Sequence, residues 1–252
     1  MNGLPDSIRA ALFDLDGVLT PTALVHAAAW AEMFDDFLRE RQGDGFTPFD
    51  PVVDYGEYVD GKPRLDGTRD FLAARGIDLP DGTDDDPPHA VTIHALATRK
   101  DAIFLAKVER EGVKPYPGSV RYLHAVRDAG LRTAVVSASR HCEQIVRAAG
   151  LADLLEVRID GVVAEKENLR GKPQPDTFQA AARRLDTDAA NAAVFEDATA
   201  GVAAGRSGRF GCVVGVDRVD NDSETEHADA LRKHGADVVV RDLAELLNGG
   251  RA

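Results

Sequence analysis

The chain has 252 residues, 44% hydrophobic and 29% charged, a balance that suits one large globular domain or a core with a smaller companion unit. Its 43 Asp+Glu against 30 Lys+Arg give a net charge of -13, a field that repels nucleic acid and anionic lipid and argues against both as partners. No apolar run is long enough to span a bilayer, no signal peptide is expected at the N-terminus, and the two cysteines form no disulfide framework, so a cytoplasmic protein is expected.

In chain order, "RAALFDL" near the start reads as a buried strand. The next segment, "TALVHAAAWAEMFDDFLRERQ", carries Leu24, Ala27, Ala28, Ala31, Phe34 and Leu38 at helical spacing, with further helices expected around 66–75 and 89–110. "DGTDDDPP" between them is a polar, proline-broken loop. Then helical patterns ("SVRYLHAVRDAG", "RHCEQIVRAAG", "PDTFQAAARRL", "ATAGVAAG") alternate with apolar runs at 132–139, 192–197, 211–216 and 236–240. The acidic "DRVDNDSETEHAD" reads as a solvated loop leading into a helix. Strands alternating with helices predict an α/β fold, a Rossmann-like parallel sheet with helices on both faces. The helical stretch 22–110 interrupts that rhythm and is expected to be a cap inserted after the first strand, with 1–21 and 111–252 forming the core.

Asp-x-Asp pairs occur at 14/16, 84/86, 186/188 and 220/222. Three sit in polar surroundings and are expected to be solvated loops or caps. Asp14 and Asp16 instead end an apolar strand, where two uncompensated carboxylates would be costly. "FED" supplies a second acidic tip, Glu196 and Asp197, after another apolar run. Hard oxygen ligands of this kind suit magnesium, which shares its shell with phosphate oxygens. "VVSAS" places Ser137 at a third strand end, with Ser139 opening the next helix and backbone N–H groups available to an anion. "GKPQPDTF" places Lys172 just ahead of a helix; alone it would be a surface charge before a turn.

"FDLDGVLT", "VVSAS", "GKPQPDTF" and "FEDATAGV", in this order, resemble the four motifs of the haloacid dehalogenase superfamily of phosphotransferases. The resemblance implies Asp14 as the nucleophile that takes the phosphoryl group, Asp16 as general acid and base, and Ser137, Ala138 and Lys172 as the phosphate-stabilising groups. It implies Mg2+ held by Asp14, Asp16 through its backbone carbonyl, Glu196 and Asp197. Asp16 counts against dehalogenase chemistry, which normally lacks the second aspartate.

"DLDGVLTPTALVHAAAW" further resembles the β-phosphoglucomutase subfamily, with Thr22 at the hinge and His26 and Trp30 one and two helical turns on. "VDGKPRLDG" resembles its cap loop, carrying Gly61, Lys62 and Arg64, with Arg64 matching the arginine for a distal phosphate. "TRKDAIF" puts Lys100 at its cap lysine, and Ser139, Arg140 and His141 fall where the subfamily grips phosphate or sugar. Pro21 stands where an acidic residue is usual, and His141 where asparagine is usual. From the residues alone, His26 reads equally well as a helix histidine half-buried against Trp30, and Cys142 as an inert packed thiol. The resemblance implies a mutase moving phosphate between the 1 and 6 positions of a β-hexose, glucose above all. A sugar-phosphate phosphatase on the same scaffold is the alternative, and a non-catalytic sugar-phosphate binder is a third reading that the presence of Asp14 and Asp16 disfavours. The partner the resemblance implies is a small sugar phosphate, and the protein is expected to be monomeric.

Overall fold

The computed structural model describes residues 2–218 and 224–249. The pair Asp220/Asp222, and with it much of the expected acidic loop, lies outside the described residues. The chain divides into two compact units: Met1–Pro21 with Val113–Ala252, and Thr22–Gly112.

The first strand, β1 (Ala10–Phe13), is followed by three longer helices of the second unit, α1 (Thr22–Gln42), α2 (Arg64–Ala74) and α3 (Ile93–Glu111). The first unit then continues through α4 (Pro117–Asp128), β2 (Arg132–Val136), α5 (Cys142–Ala148), β3 (Val157–Ile159), α6 (Gly161–Lys166), α7 (Asp176–Arg184) and β4 (Ala192–Glu196). It ends with α8 (Thr199–Ser207), β5 (Cys212–Val216), α9 (Glu224–His234) and β6 (Val238–Val240).

Among the described residues the strands form one six-stranded sheet in the order β3-β2-β1-β4-β5-β6, all parallel. Parallel sheets are covered on both faces, so their strands are largely apolar, as "AALF" is and as "AAVFE" is up to Glu196 at its tip. Alternation along β1 sends Leu12 into a cluster with Phe178, Val194 and Val202 on one face. Phe13 goes to the other face, where it stacks on Phe195 at 4.5 Å and meets the edge of Tyr122. Full burial of a side chain like Phe13 contributes about 1.5–3 kcal/mol. The sequence reading missed β3. It is three residues long, lies at the sheet edge and carries Arg158 in its middle, so no apolar run marks it.

Register decides where the strands stop. Phe13 of β1 lies opposite both Val135 and Phe195, so β1, β2 and β4 end level with one another. The chain runs from β1 outward through β2 to β3, then returns to build β4 to β6 on the other side. Strand order thus reverses beside β1, and a crevice opens beyond the carboxyl ends at such a switch point.

The second unit is helical, with a short π-helical turn at Tyr55–Val59 and no strand among its described residues. Its core gathers Trp30, Met33, Phe34, Phe37 and Leu38 of α1 around Phe49, Phe71 and Leu96. The stripe expected on α1 is corrected here: Leu24 is 74% exposed and Ala28 is exposed as well. The large aromatic and Met side chains set the buried face, and both residues lie off it. Thr92 caps α3 by accepting from the Ala95 N–H at 3.1 Å.

Candidate active site

Asp14 directly follows β1, and its N–H donates to the Phe195 carbonyl at 2.9 Å, continuing the β1–β4 ladder to the residue before Glu196. Into this corner comes Lys172, from the loop ahead of α7, with 4% exposure. Its ammonium ion-pairs with the Asp14 carboxylate, lies 2.5 Å from Glu196 Oε1, and donates to the Val136 carbonyl at 3.2 Å. One amine therefore ties together the ends of β1, β2 and β4. The fourth wall is apolar, with the Phe178 ring centroid 5.1 Å from Nζ.

Burial pushes the Asp14 carboxyl well above its ordinary range; Lys172 opposes this, while Glu196 and Asp16 add to it. Burial likewise raises Glu196 against the pull of Lys172. Burial alone would push the Lys172 ammonium down, but Asp14 and Glu196 outweigh it and hold it charged, above the usual lysine value.

Asp16 turns toward β2, accepting a hydrogen bond from the Ser137 hydroxyl at 3.3 Å, and Ser137 Oγ accepts from the Ser139 N–H at 3.1 Å. Ser139 does not open α5, as the sequence suggested. Its Oγ accepts from the His141 N–H at 3.2 Å in a turn, and the helix starts at Cys142. Ala138 is half-buried in that turn. Arg140 is exposed and paired with Glu165.

Asp14, Glu196 and Asp197 offer oxygens within 4.8 Å of one another. With Asp16 they bring four carboxylates to a site with one buried ammonium, and the donors are all hard oxygens, so a divalent cation such as magnesium fits the chemistry. Two glycines make the room. A Cβ on Gly17 would lie 1.7 Å from Asp197 Oδ2, and one on Gly201 would lie 1.9 Å from the Glu196 carboxyl carbon. Gly17 also holds φ +80°, a left-handed turn that suits glycine.

The second unit holds its own charged cluster. Arg64, the first residue of α2, pairs with Asp101 and comes within 3.8 Å of Asp84. Lys100, 3% exposed, lies 2.7 Å from His26 Nδ1, 3.9 Å from Asp101, and over the rings of Trp30 and Phe104. Arg64, Asp101, Lys100 and His26 thus form one chain of contacts. His26 stacks on Phe104 at 3.9 Å rather than on Trp30, which stacks on Phe34, because α3 and not the next turn of α1 lies beside its ring. Lys62 pairs with Asp70 at 2.7 Å, next to Gly61 at φ +67°, and Thr22 is buried at the start of α1. Asp84 and Asp86 sit in the loop as expected, Asp84 beside His94 and Asp86 accepting from the Thr92 hydroxyl.

The family model of haloacid dehalogenase-like hydrolases matches residues 8–209. The chain belongs to this family. It is 50% identical over 248 residues to a β-phosphoglucomutase of Mycobacterium bovis, covering 97% of this chain and 94% of that protein. It is 29% identical to a β-phosphoglucomutase of Bacillus subtilis, covering 95% and 92%. The fold matches a crystal structure of β-phosphoglucomutase from Clostridium difficile with TM-score 0.71 at 22% identity, covering 95% of this chain and 93% of that one.

For a member of this haloacid dehalogenase-like family, the strand-tip residues were legible in sequence; three contributors were not. Gly201 and the Val136 carbonyl carry no reactive side chain, and Asp101 is one carboxylate among many in an acidic chain. Cys142 begins α5 fully buried, and burial pushes its thiol well above the usual value; Cys212 is pushed up to about 12, also by burial. Neither is a thiolate at neutral pH. No described helix is long and apolar enough to cross a membrane.

Proposed function

We propose that this protein is a magnesium-dependent phosphotransferase that interconverts β-D-glucose 1-phosphate and glucose 6-phosphate through an aspartyl phosphate on Asp14 and a 1,6-bisphosphate. The observation that carries it is the convergence of Lys172 with Asp14, Glu196 and Asp197 at level strand ends, in a chain half identical to a β-phosphoglucomutase over nearly its whole length.

A carboxylate attacking a phosphate monoester must overcome like-charge repulsion, and Asp14 must be ionised to do so although burial opposes ionisation. Lys172 favours the charged form and is positioned to offset charge on the phosphoryl oxygens. Asp14, the Asp16 carbonyl, Glu196 and Asp197 would hold Mg2+, which supplies further positive charge to the phosphoryl group. An Asp14 oxygen forms the new bond to phosphorus as the P–O bond to the sugar breaks, and Asp16 gives its proton to the departing sugar oxygen. In the second half-reaction Asp16 takes the proton back from the attacking sugar hydroxyl, the Asp14–phosphorus bond breaks, and the carboxylate is restored. Ser137 and the Ala138–Ser139 backbone serve the phosphoryl oxygens, with Arg140 and His141 flanking the substrate.

A mutase must also hold a second phosphate. Arg64 suits that task because its planar guanidinium can take two phosphate oxygens at once. In our reading the helical unit is the cap, with Thr22 at its hinge, and Lys100, His26, Trp30, Gly61 and Lys62 complete the distal pocket.

Incubation with β-glucose 1-phosphate, Mg2+ and a trace of the 1,6-bisphosphate tests this. Glucose 6-phosphate should accumulate without matching inorganic phosphate; phosphate release without the isomer would make the protein a phosphatase instead. Arg64→Ala should lower isomer formation by roughly 100-fold or more, through loss of a charge-assisted bidentate contact. Hydrolysis of a small aryl phosphate, which has no second phosphate, should fall far less. Equal loss of both activities would place Arg64 outside the distal site.

A further inference from the structure

Arg218 follows β5 by two residues, and no step above uses it. Its side chain is 16% exposed and lies over the Tyr116 ring, 3.8 Å from the centroid. Every N–H of the guanidinium has an acceptor. Nε donates to the Gly17 carbonyl at 2.9 Å. One terminal nitrogen donates to Ser119 Oγ at 2.8 Å and, at the long limit of 3.4 Å, to the Val18 carbonyl. The other donates to the Arg241 carbonyl at 3.2 Å and to Asp242 Oδ2 at 3.1 Å. Ser119 Oγ donates in turn to the Val18 carbonyl at 2.7 Å.

The far end of this arrangement is anchored as firmly as the near end. Asp242 caps the turn Leu243–Asn248, accepting from the Ala244 N–H at 2.8 Å. It lies against Gly118, where a Cβ would come within 1.7 Å of Oδ1. The near end is the loop just after the nucleophile. Gly17 donates its N–H to the Thr20 carbonyl at 2.7 Å, and the Asp197 carboxylate occupies the space a side chain there would fill. The peptide joining Asp16 to Gly17 carries the carbonyl assigned to the cation. The peptide after it is the one Arg218 holds.

We propose that Arg218 is a positioning residue that fixes the Asp16–Gly17–Val18 backbone against Asp197 and thereby sets the affinity for the divalent cation. This rests on reading the strand tips as a cation-assisted phosphotransfer site. Arginine suits the task because its rigid planar fork carries five N–H donors for the five acceptors gathered here, whereas a lysine ammonium carries three.

The test titrates Mg2+ alone into wild type, Arg218→Met and Arg218→Lys by calorimetry, with thermal melts in EDTA alongside. Groups that orient metal ligands typically cost 10–100-fold in metal affinity when lost, and Arg218→Met should weaken Mg2+ binding by roughly that factor. The Mg2+ concentration for half-maximal turnover should rise in step, while kcat at saturating Mg2+ stays within a few-fold. Arg218→Lys should recover only part of the affinity. A lower melting temperature in EDTA with wild-type Mg2+ affinity would make Arg218 merely structural and overturn the proposal. Should Arg218→Met not fold, Ser119→Ala, which removes one Arg218 acceptor and the bond to Val18, should weaken Mg2+ in the same direction by a smaller factor. Unchanged affinity there would overturn it equally. Wild type that binds no Mg2+ would defeat the phosphotransfer reading itself, whereas wild-type binding with unaltered variants would defeat the role of Arg218 alone.

Discussion

Asp14→Asn should abolish isomerisation, lowering kcat by more than about a thousandfold, because the amide offers no anionic oxygen to attack phosphorus. The substitution is isosteric, and Lys172 keeps its contacts with Glu196 and the Val136 carbonyl, so the fold should survive. The decisive measurement is an acid quench after exposure to labelled 1,6-bisphosphate. Wild type should carry label on residue 14, and Asp14→Asn none. Mass spectrometry must exclude deamidation of the new asparagine, which would regenerate the nucleophile. Full turnover by the intact asparagine variant would mean that another residue takes the phosphoryl group.

Lys172→Met should be the most damaging substitution for stability. It removes the ammonium that faces Asp14 and Glu196 while leaving both carboxylates out of water. Breaking a buried pair from one side costs about 3–5 kcal/mol, and methionine fills the stem's volume beside Phe178, so the loss reports charge rather than a cavity. The pH dependence has a definite sign. Burial already raises both carboxyls in the folded protein, and without Lys172 only the backbone N–H groups of Asp197 and Ala198 at Glu196 oppose it. The folded state then binds more protons than the unfolded chain at every pH between the ordinary carboxylate range and these raised values. Its stability therefore falls as pH rises through that window and recovers on acidification. Urea unfolding at pH 5 and pH 8 should show a larger deficit relative to wild type at pH 8, and Mg2+ should narrow it by supplying charge at the same carboxylates. A deficit independent of pH would mean that Lys172 stabilises the fold by packing alone.

The parallel sheet and the acidic strand tips could be read from sequence because both are local. An apolar run such as "AALF" that ends abruptly in Asp14 and Asp16 signals a buried strand meeting a polar rim, and the neighbouring residues suffice to see it. The α1 stripe was misread because spacing alone weighs Leu24 and Ala28 equally with Trp30 and Phe37, whereas packing weighs volume. Edge strand β3 was missed for a related cause. A short strand with an arginine at its centre carries too little pattern to register.

By itself, the sequence marked out the side chains to which we assign the chemistry: the aspartates after β1, Ser137, Lys172, the Glu196–Asp197 tip, and the basic residues Arg64 and Lys100. Which of them meet was decided only by the tertiary structure. Lys172 and Asp14 are 158 positions apart, and their pairing exists because β1 and β4 share a register and α7 packs where the amine can reach both strand ends. The same holds for Arg218 on Gly17, 201 positions away, for Asp101 on Arg64, and for Phe104 beneath His26. Chemical identity is a property of one residue and is written in the chain. Contact between distant residues depends on how whole elements pack, and a carboxylate, a carbonyl or a ring carries no local mark of the partner it will find.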